Sequence, residues 1–163
     1  MWIAKGRSGP ESPCESAGAM LTRMPHTAES RTLMIVDDDA LLGELYRRKF
    51  EFAGFKVVLC NTAEEALRRL REGAHPDLLL LDLLMPGMDG LAFLKEAKGE
   101  RLALPPVAIL TNLEQDVHKE TAFALGAGHY ILKASVTPEE LLEQVKEILD
   151  MREMMGPDTP PAG

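Results

Sequence analysis

Leu78-Leu79-Leu80-Leu81-Asp82, continued by Leu83-Leu84-Met85-Pro86-Gly87-Met88-Asp89-Gly90, decides the fold. A leucine run closed by Pro and Gly reads as a strand buried on both faces, and such strands lie inside parallel sheets. The run ends on a carboxylate, Asp82. Burying an unpaired acid is expensive, and the carboxyl edge of an open α/β sheet is where ligands bind. Asp82 is therefore the first candidate for chemistry. From this stretch alone, a strand-end Asp that only opens a turn reads equally well.

On the N-terminal side, Leu33-Met34-Ile35-Val36 is a second apolar run, closed by Asp37-Asp38-Asp39. Ala40 to Ala53 places Leu41, Leu42, Leu45, Phe50 and Ala53 at roughly a helical period, and Gly54 stops it. Lys56 to Cys60 is a strand. Thr62-Ala63-Glu64-Glu65 is a capping box opening a helix with Ala66, Leu67 and Leu70 inward, ended by Gly73. On the C-terminal side, Asp89-Gly90 begins a helix carrying Leu91, Phe93 and Leu94, and Pro105-Pro106 breaks the chain. Val107 to Leu110 is a strand ending at Thr111, and Glu114 to Leu125 a helix. Tyr130 to Leu132 is a strand ending at Lys133. Thr137-Pro138-Glu139-Glu140 then opens a helix whose inner face is Leu141, Leu142, Val145, Ile148 and Leu149. Strand and helix alternate five times. The expectation is a doubly wound five-stranded parallel sheet, with right-handed crossovers and helices on both faces.

At 163 residues and 45% hydrophobic content, the chain holds one domain with tails. Residues 1–30, rich in Gly, Ser, Pro, Ala and Glu and without an apolar signal-peptide core, predict a disordered tail. Met20 or Met24 would serve as a later start that leaves the domain intact. Residues 31–155 form the domain, and 156–163 (GPDTPPAG) a second flexible end. A formal charge of -8 argues against nucleic-acid or anionic-membrane binding. No apolar run reaches membrane-spanning length. Cys14 and Cys60 make no disulfide framework and fit a reducing, cytoplasmic setting.

A parallel sheet gathers all its carboxyl ends on one edge. That edge would collect Asp37, Asp38, Asp82, Thr111 and Lys133. Two like unit charges about 4 Å apart cost roughly 4 kcal/mol at an effective dielectric near 20, so something positive must compensate. Lys133 supplies one charge. An all-oxygen donor set suits Mg²⁺ for the rest, and no His or Cys in the cluster favours zinc. An acidic metal site with a hydroxyl and a lysine around one Asp is what phosphoryl transfer to a carboxylate needs.

With these residues in place, the chain from about Thr32 to Met151 resembles a response-regulator receiver domain of two-component signalling, a flavodoxin-like (βα)₅ fold. The family loop D-x-x-M-P-x-x-D-G stands at Asp82 to Gly90, the acid pair at Asp37-Asp38, the hydroxyl at Thr111 and the lysine at Lys133. The resemblance implies that Asp82 accepts a phosphoryl group from a phosphohistidine of a sensor histidine kinase or phosphotransfer protein. It implies that Asp38, Asp82 and the Leu84 carbonyl hold Mg²⁺, with Asp37 helping directly or through water. Lys133 and Thr111 then contact the phosphoryl oxygens. Tyr130 implies an aromatic switch that couples the site to the surface of the fourth helix, fifth strand and fifth helix, where a downstream protein target binds.

The family pattern is broken at Ala134, where Pro usually follows the lysine; the bond before Ala should be trans. Asn112 is bulkier than the residue usual after the switch Thr, which narrows phosphodonor access. Leu84 and Leu113 stand where polar residues orient hydrolytic water in the family, which predicts slow self-dephosphorylation. Asp39 reads as a first-turn helix acid, and His75, His118 and His129 as surface or turn residues. Arg47-Arg48-Lys49 and Arg68, Arg69 and Arg71 read as solvated helix faces, and Met151 to Met155 as a helix end open to a homodimer contact. Too few residues follow the last helix for an output domain, so the expected protein is a single-domain regulator and not a turnover enzyme. The alternatives are a receiver-like interaction module that takes no phosphate, and a Mg²⁺-dependent aspartyl-phosphate hydrolase. The second is weakened because Leu84 stands where such hydrolases carry a second acid.

Overall fold

A computed structural model describes residues 31–155; the tails expected at 1–30 and 156–163, Cys14 and the alternative starts lie outside them. The elements are β1 (Thr32–Val36), α1 (Ala40–Phe52), β2 (Lys56–Cys60), α2 (Ala63–Arg71), β3 (Leu78–Leu81), α3 (Gly90–Gly99), β4 (Val107–Thr111), α4 (Asp116–Ala124), β5 (His129–Leu132) and α5 (Pro138–Met155). A single 3₁₀ turn, Lys133–Ser135, joins β5 to α5. All four ladders are parallel, and the strand order is β2-β1-β3-β4-β5.

The leucine run is buried at every position because its period of two feeds two cores. Leu79 and Leu81 face one layer with Met34, Val36, Leu67, Phe93 and Ile109, under α2, α3 and α4. Leu78 and Leu80 face the other with Leu33, Ile35, Phe50, Leu141 and Val145, under α1 and α5. Burying each leucine contributes about 1.5–3 kcal/mol, so β3 anchors both layers.

The caps follow the sequence with two differences. Thr137 and Glu140 form a reciprocal box, with the Glu140 N–H on Thr137 Oγ1 at 3.2 Å and the Thr137 N–H on Glu140 Oε2 at 2.7 Å. At α2 the Thr62 hydroxyl accepts from the Glu65 N–H at 3.1 Å, but the Glu65 carboxylate accepts from Asn61 one residue earlier. Helix α4 begins at Asp116, later than expected, and its N-cap Gln115 makes no side-chain cap bond.

The phase of α1 also differs from the apolar pattern. Leu41 and Leu45 face solvent, whereas Gly43, Tyr46 and Phe50 face inward. The reason is packing on β2: a Cβ at Gly43 would lie 2.9 Å from Leu59 Cδ1, so the closest approach of helix to sheet falls there. His129 is a half-buried strand residue, not a surface or turn residue, and burial lowers its pKa. The arginines do more than face water: Arg71 of α2 reaches Glu96 at 2.9 Å and also pairs with Glu100, tying α2 to α3.

Candidate functional site

Strand order reverses beside β1, whose neighbours are β2 and β3. The crevice at that reversal, off the carboxyl ends, is where open α/β sheets bind ligands. Asp37 follows β1 directly and Asp82 follows β3 directly. Both are pinned by continuations of the ladder: the Asp37 N–H donates to the Cys60 carbonyl at 3.1 Å and the Asp82 N–H to the Val36 carbonyl at 2.9 Å. The backbone thus fixes where each carboxylate starts.

Asp37 is 2% exposed and Asp82 5%, while Asp38 is open to solvent. One carboxylate oxygen from each of the three lies within 4.8 Å of the others. Lys133, from the end of β5, donates to Asp37 Oδ2 at 2.6 Å and to Asp82 Oδ2 at 2.8 Å. The remaining oxygens are satisfied locally: Asp37 Oδ1 accepts from the Asp39 N–H at 3.0 Å, and Asp82 Oδ1 from the Leu84 N–H at 3.1 Å. Asp39 itself is the N-cap of α1, its carboxylate accepting from Leu41 and Leu42, so it belongs to the helix and not to the cluster.

The electrostatics pull in two directions. Burial pushes the Asp37 carboxyl above its usual range, and the bonds from Lys133 and Asp39 only partly offset it. Burial alone would lower Lys133, but its contacts with Asp37 and Asp82 outweigh that and hold it above the usual lysine range. The ammonium therefore stays charged, and the acid beside it carries the strain. Three carboxylates against one ammonium leave about two negative charges uncompensated at neutral pH. Hard oxygen donors of that charge fit a divalent cation such as Mg²⁺.

Thr111 closes β4, is fully buried, and pairs in register with Leu132, the residue before Lys133. Its Oγ1 accepts from the Leu113 N–H at 3.4 Å. The Tyr130 hydroxyl donates to the Leu113 carbonyl at 2.8 Å, tying β5 to the β4–α4 loop. Leu84, 53% exposed, lies beside the acids. No peptide bond is cis among the described residues, so Lys133–Ala134 is trans as expected.

Gly90 shapes the loop after Asp82. Its N–H donates to the Leu83 carbonyl at 3.1 Å, and a Cβ there would sit 2.4 Å from the Asp82 carbonyl oxygen and 2.9 Å from Leu83 Cα. Only glycine allows that approach. The sequence reading used Gly90 only as a helix start and a motif letter. It missed Tyr46, a buried α1 residue within electrostatic range of Lys133, Asp37 and Asp82. The available signal was a tyrosine seven residues after Asp39 on an inward helix position.

This arrangement agrees with known proteins. The model of the response regulator receiver domain matches residues 33–146. The chain is 30% identical over 130 residues to the alkaline phosphatase synthesis transcriptional regulatory protein PhoP of Bacillus subtilis, covering 80% of this chain and 53% of that one. It is 36% identical over 117 residues to the transcriptional regulatory protein CpxR homolog of Haemophilus influenzae, covering 72% and 49%. A response regulator receiver domain protein (CheY-like) from Methanospirillum hungatei superposes with a TM-score of 0.70 at 32% identity, covering 77% of this chain and 98% of that one. The chain spans about half the length of the curated relatives it matches. Receiver domains are signalling modules of two-component systems, and this chain belongs to the response regulator receiver domain family.

Proposed function

We propose that Asp82 is a phosphoacceptor and that the domain is a phosphorylation-driven switch. The observation that carries this is the bridge by Lys133 between Asp37 and Asp82 at the reversal of strand order, beside an acidic cluster of cation-binding composition. The donor is a phosphohistidine of a sensor histidine kinase or phosphotransfer protein. An Asp82 carboxylate oxygen forms the new bond to phosphorus as the P–N bond breaks, and the imidazole leaves with the electron pair. Asp37, Asp38, Asp82 and the Leu84 carbonyl would hold Mg²⁺, which neutralises charge on the phosphoryl oxygens when bound. Lys133 stabilises the same charge, and the Thr111 hydroxyl donates to a phosphoryl oxygen.

The output is a population shift at the α4–β5–α5 surface, reported through Tyr130 and read by a protein target. The domain is not a turnover enzyme in this reading; it accepts the group and slowly hydrolyses it. A homodimer contact is open to the exposed Met151 and Met154 of α5. No helix among the described residues is long and apolar enough to cross a membrane. A cytoplasmic setting is proposed on the unpaired, buried Cys60 thiol. The test is incubation with acetyl phosphate and Mg²⁺ followed by intact mass. Wild type should gain one phosphoryl group and Asp82→Asn none. A wild-type mass that stays unchanged supports the receiver-like module that takes no phosphate.

A further inference from the structure

Tyr46 carries a buried polar atom that nothing in the fold uses. The residue is 4% exposed and packs in the layer between β1 and α5. Its hydroxyl makes no hydrogen bond among the described residues. Buried polar groups are almost always satisfied, so an orphan calls for an account. Plain core filling is a poor one, because Phe50, one turn along the same inner face, fills its place without an oxygen.

Direction supplies a better account. Helical side chains lean toward the helix N-terminus. In α1 that end is Asp39, beside the acidic cluster. Tyr46 lies about 10 Å along the axis from Asp39, and its long side chain leans back over part of that distance. Burial is what chiefly keeps the phenol protonated, and among the charged groups acting on it Lys133 comes first, ahead of Asp37, Asp39 and Asp82. The Lys133 ammonium is held between Asp37 at 2.6 Å and Asp82 at 2.8 Å, so a turn of Asp37 away from it would free one N–H.

We propose that Tyr46 is a positioning residue for Lys133, its phenol oxygen accepting the ammonium N–H that Asp37 releases when Asp37 turns to a bound divalent cation. The inference rests on the phosphoacceptor reading and deepens it. In the cation-free form Asp37 holds Lys133 and the hydroxyl is unpaired. In the cation-bound form Tyr46 takes over, so Lys133 keeps two fixed partners and stays aimed at Asp82. The orphan hydroxyl is then a group whose partner belongs to the working state.

Tyr46→Phe tests this, because it keeps the ring and removes only the oxygen. Two quantities are measured: the melting temperature in chelator and the Mg²⁺ dissociation constant by calorimetry. Acetyl phosphate labelling of wild type runs beside them. Tyr46→Phe should melt at the same or a higher temperature, having lost an unpaired buried group, yet bind Mg²⁺ about fivefold to tenfold more weakly, having lost a hydrogen bond to a charged donor. A purely structural tyrosine cannot move the two readouts in opposite senses. Mg²⁺ affinity within about twofold of wild type overturns the proposal. A lower melting temperature in chelator also overturns it, by placing the hydroxyl's partner in the cation-free form. Wild type that binds no Mg²⁺ and takes no phosphoryl group overturns the phosphoacceptor reading and this proposal together. Wild type that does both, with an unaltered variant, overturns only the role of Tyr46.

Discussion

Lys133→Met is the sharpest perturbation of the site. It keeps an unbranched side chain of similar length and removes the ammonium that contacts Asp37 at 2.6 Å and Asp82 at 2.8 Å. The carboxylates then face one another within 4.8 Å. At an effective dielectric near 20, each pair repels by roughly 3–4 kcal/mol. Asp38 is open to solvent, so its share is screened and the Asp37–Asp82 pair dominates. Removing one partner of a buried ion pair costs about 3–5 kcal/mol. In chelator at neutral pH the variant should lose about that much stability, read by urea denaturation. Asp37, already pushed up by burial, escapes the penalty by taking a proton. The gap between variant and wild type should therefore shrink as pH falls. Mg²⁺ should rescue the variant more than wild type, with about 2.7 kcal/mol recovered at a hundredfold excess over its dissociation constant. A loss below about 1 kcal/mol in chelator, the scale of an exposed salt bridge, would refute the reasoning.

Other expectations follow from the same geometry. Asp37 has its folded pKa raised above its unfolded value, so the folded state binds the extra proton, and stability from this group falls as pH rises through the carboxylate range. Asp37→Asn should remove that slope in chelator, seen as the difference between the two stability-versus-pH curves; parallel curves would contradict it. Lys133, also raised, contributes stability that is lost only when pH climbs through its folded pKa, so it does not bear on that window. Gly90→Ala places a Cβ 2.4 Å from the Asp82 carbonyl oxygen, and the backbone shift it forces should cost about 1–3 kcal/mol by denaturation. An unchanged midpoint there would mean the loop relaxes freely. Leu84→Asn puts a polar group at a half-exposed position beside Asp82 and should shorten the phosphorylated half-life several-fold by time-resolved mass spectrometry; wild-type loss within seconds would dismiss the apolar-shield idea.

Asp37, Asp38, Asp82, Thr111 and Lys133 were legible because a parallel sheet turns position along five strands into position on one edge. That inference needs only strand existence and polarity, which apolar runs report well. Strand order was not legible, since it depends on which faces pack and not on any local pattern. The phase of α1 departs from its apolar pattern for a related reason. Leu41, Leu42 and Leu45 compete with Tyr46 and Phe50 for the inward face, and the winner is set by Gly43 packing on Leu59 across the layer. Tyr46 stayed hidden for the same cause. A tyrosine inside an apolar helix pattern looks like a half-buried ring until the fold shows how little of it reaches water.

Leu113 joins the two ends of the proposed switch through a single residue. Its N–H is held by Thr111 Oγ1 at 3.4 Å, and its carbonyl by the Tyr130 hydroxyl at 2.8 Å. The first contact sits at the long limit for a hydrogen bond and the second near the optimum. Thr111 can therefore leave Leu113 at small cost, as the proposed turn of its hydroxyl to a phosphoryl oxygen requires. Tyr130 cannot leave so cheaply. In the proposed switch, release of the Leu113 N–H would leave its carbonyl unfixed from the Thr111 side, and the Tyr130 ring that grips that carbonyl would move with the β4–α4 loop. Coupling from a fully buried threonine to a half-buried strand tyrosine thus needs no long pathway. It needs one weak bond and one strong bond on the same residue, and Tyr130→Phe, which removes the strong one, should uncouple partner binding from phosphorylation while leaving acetyl phosphate labelling of Asp82 intact.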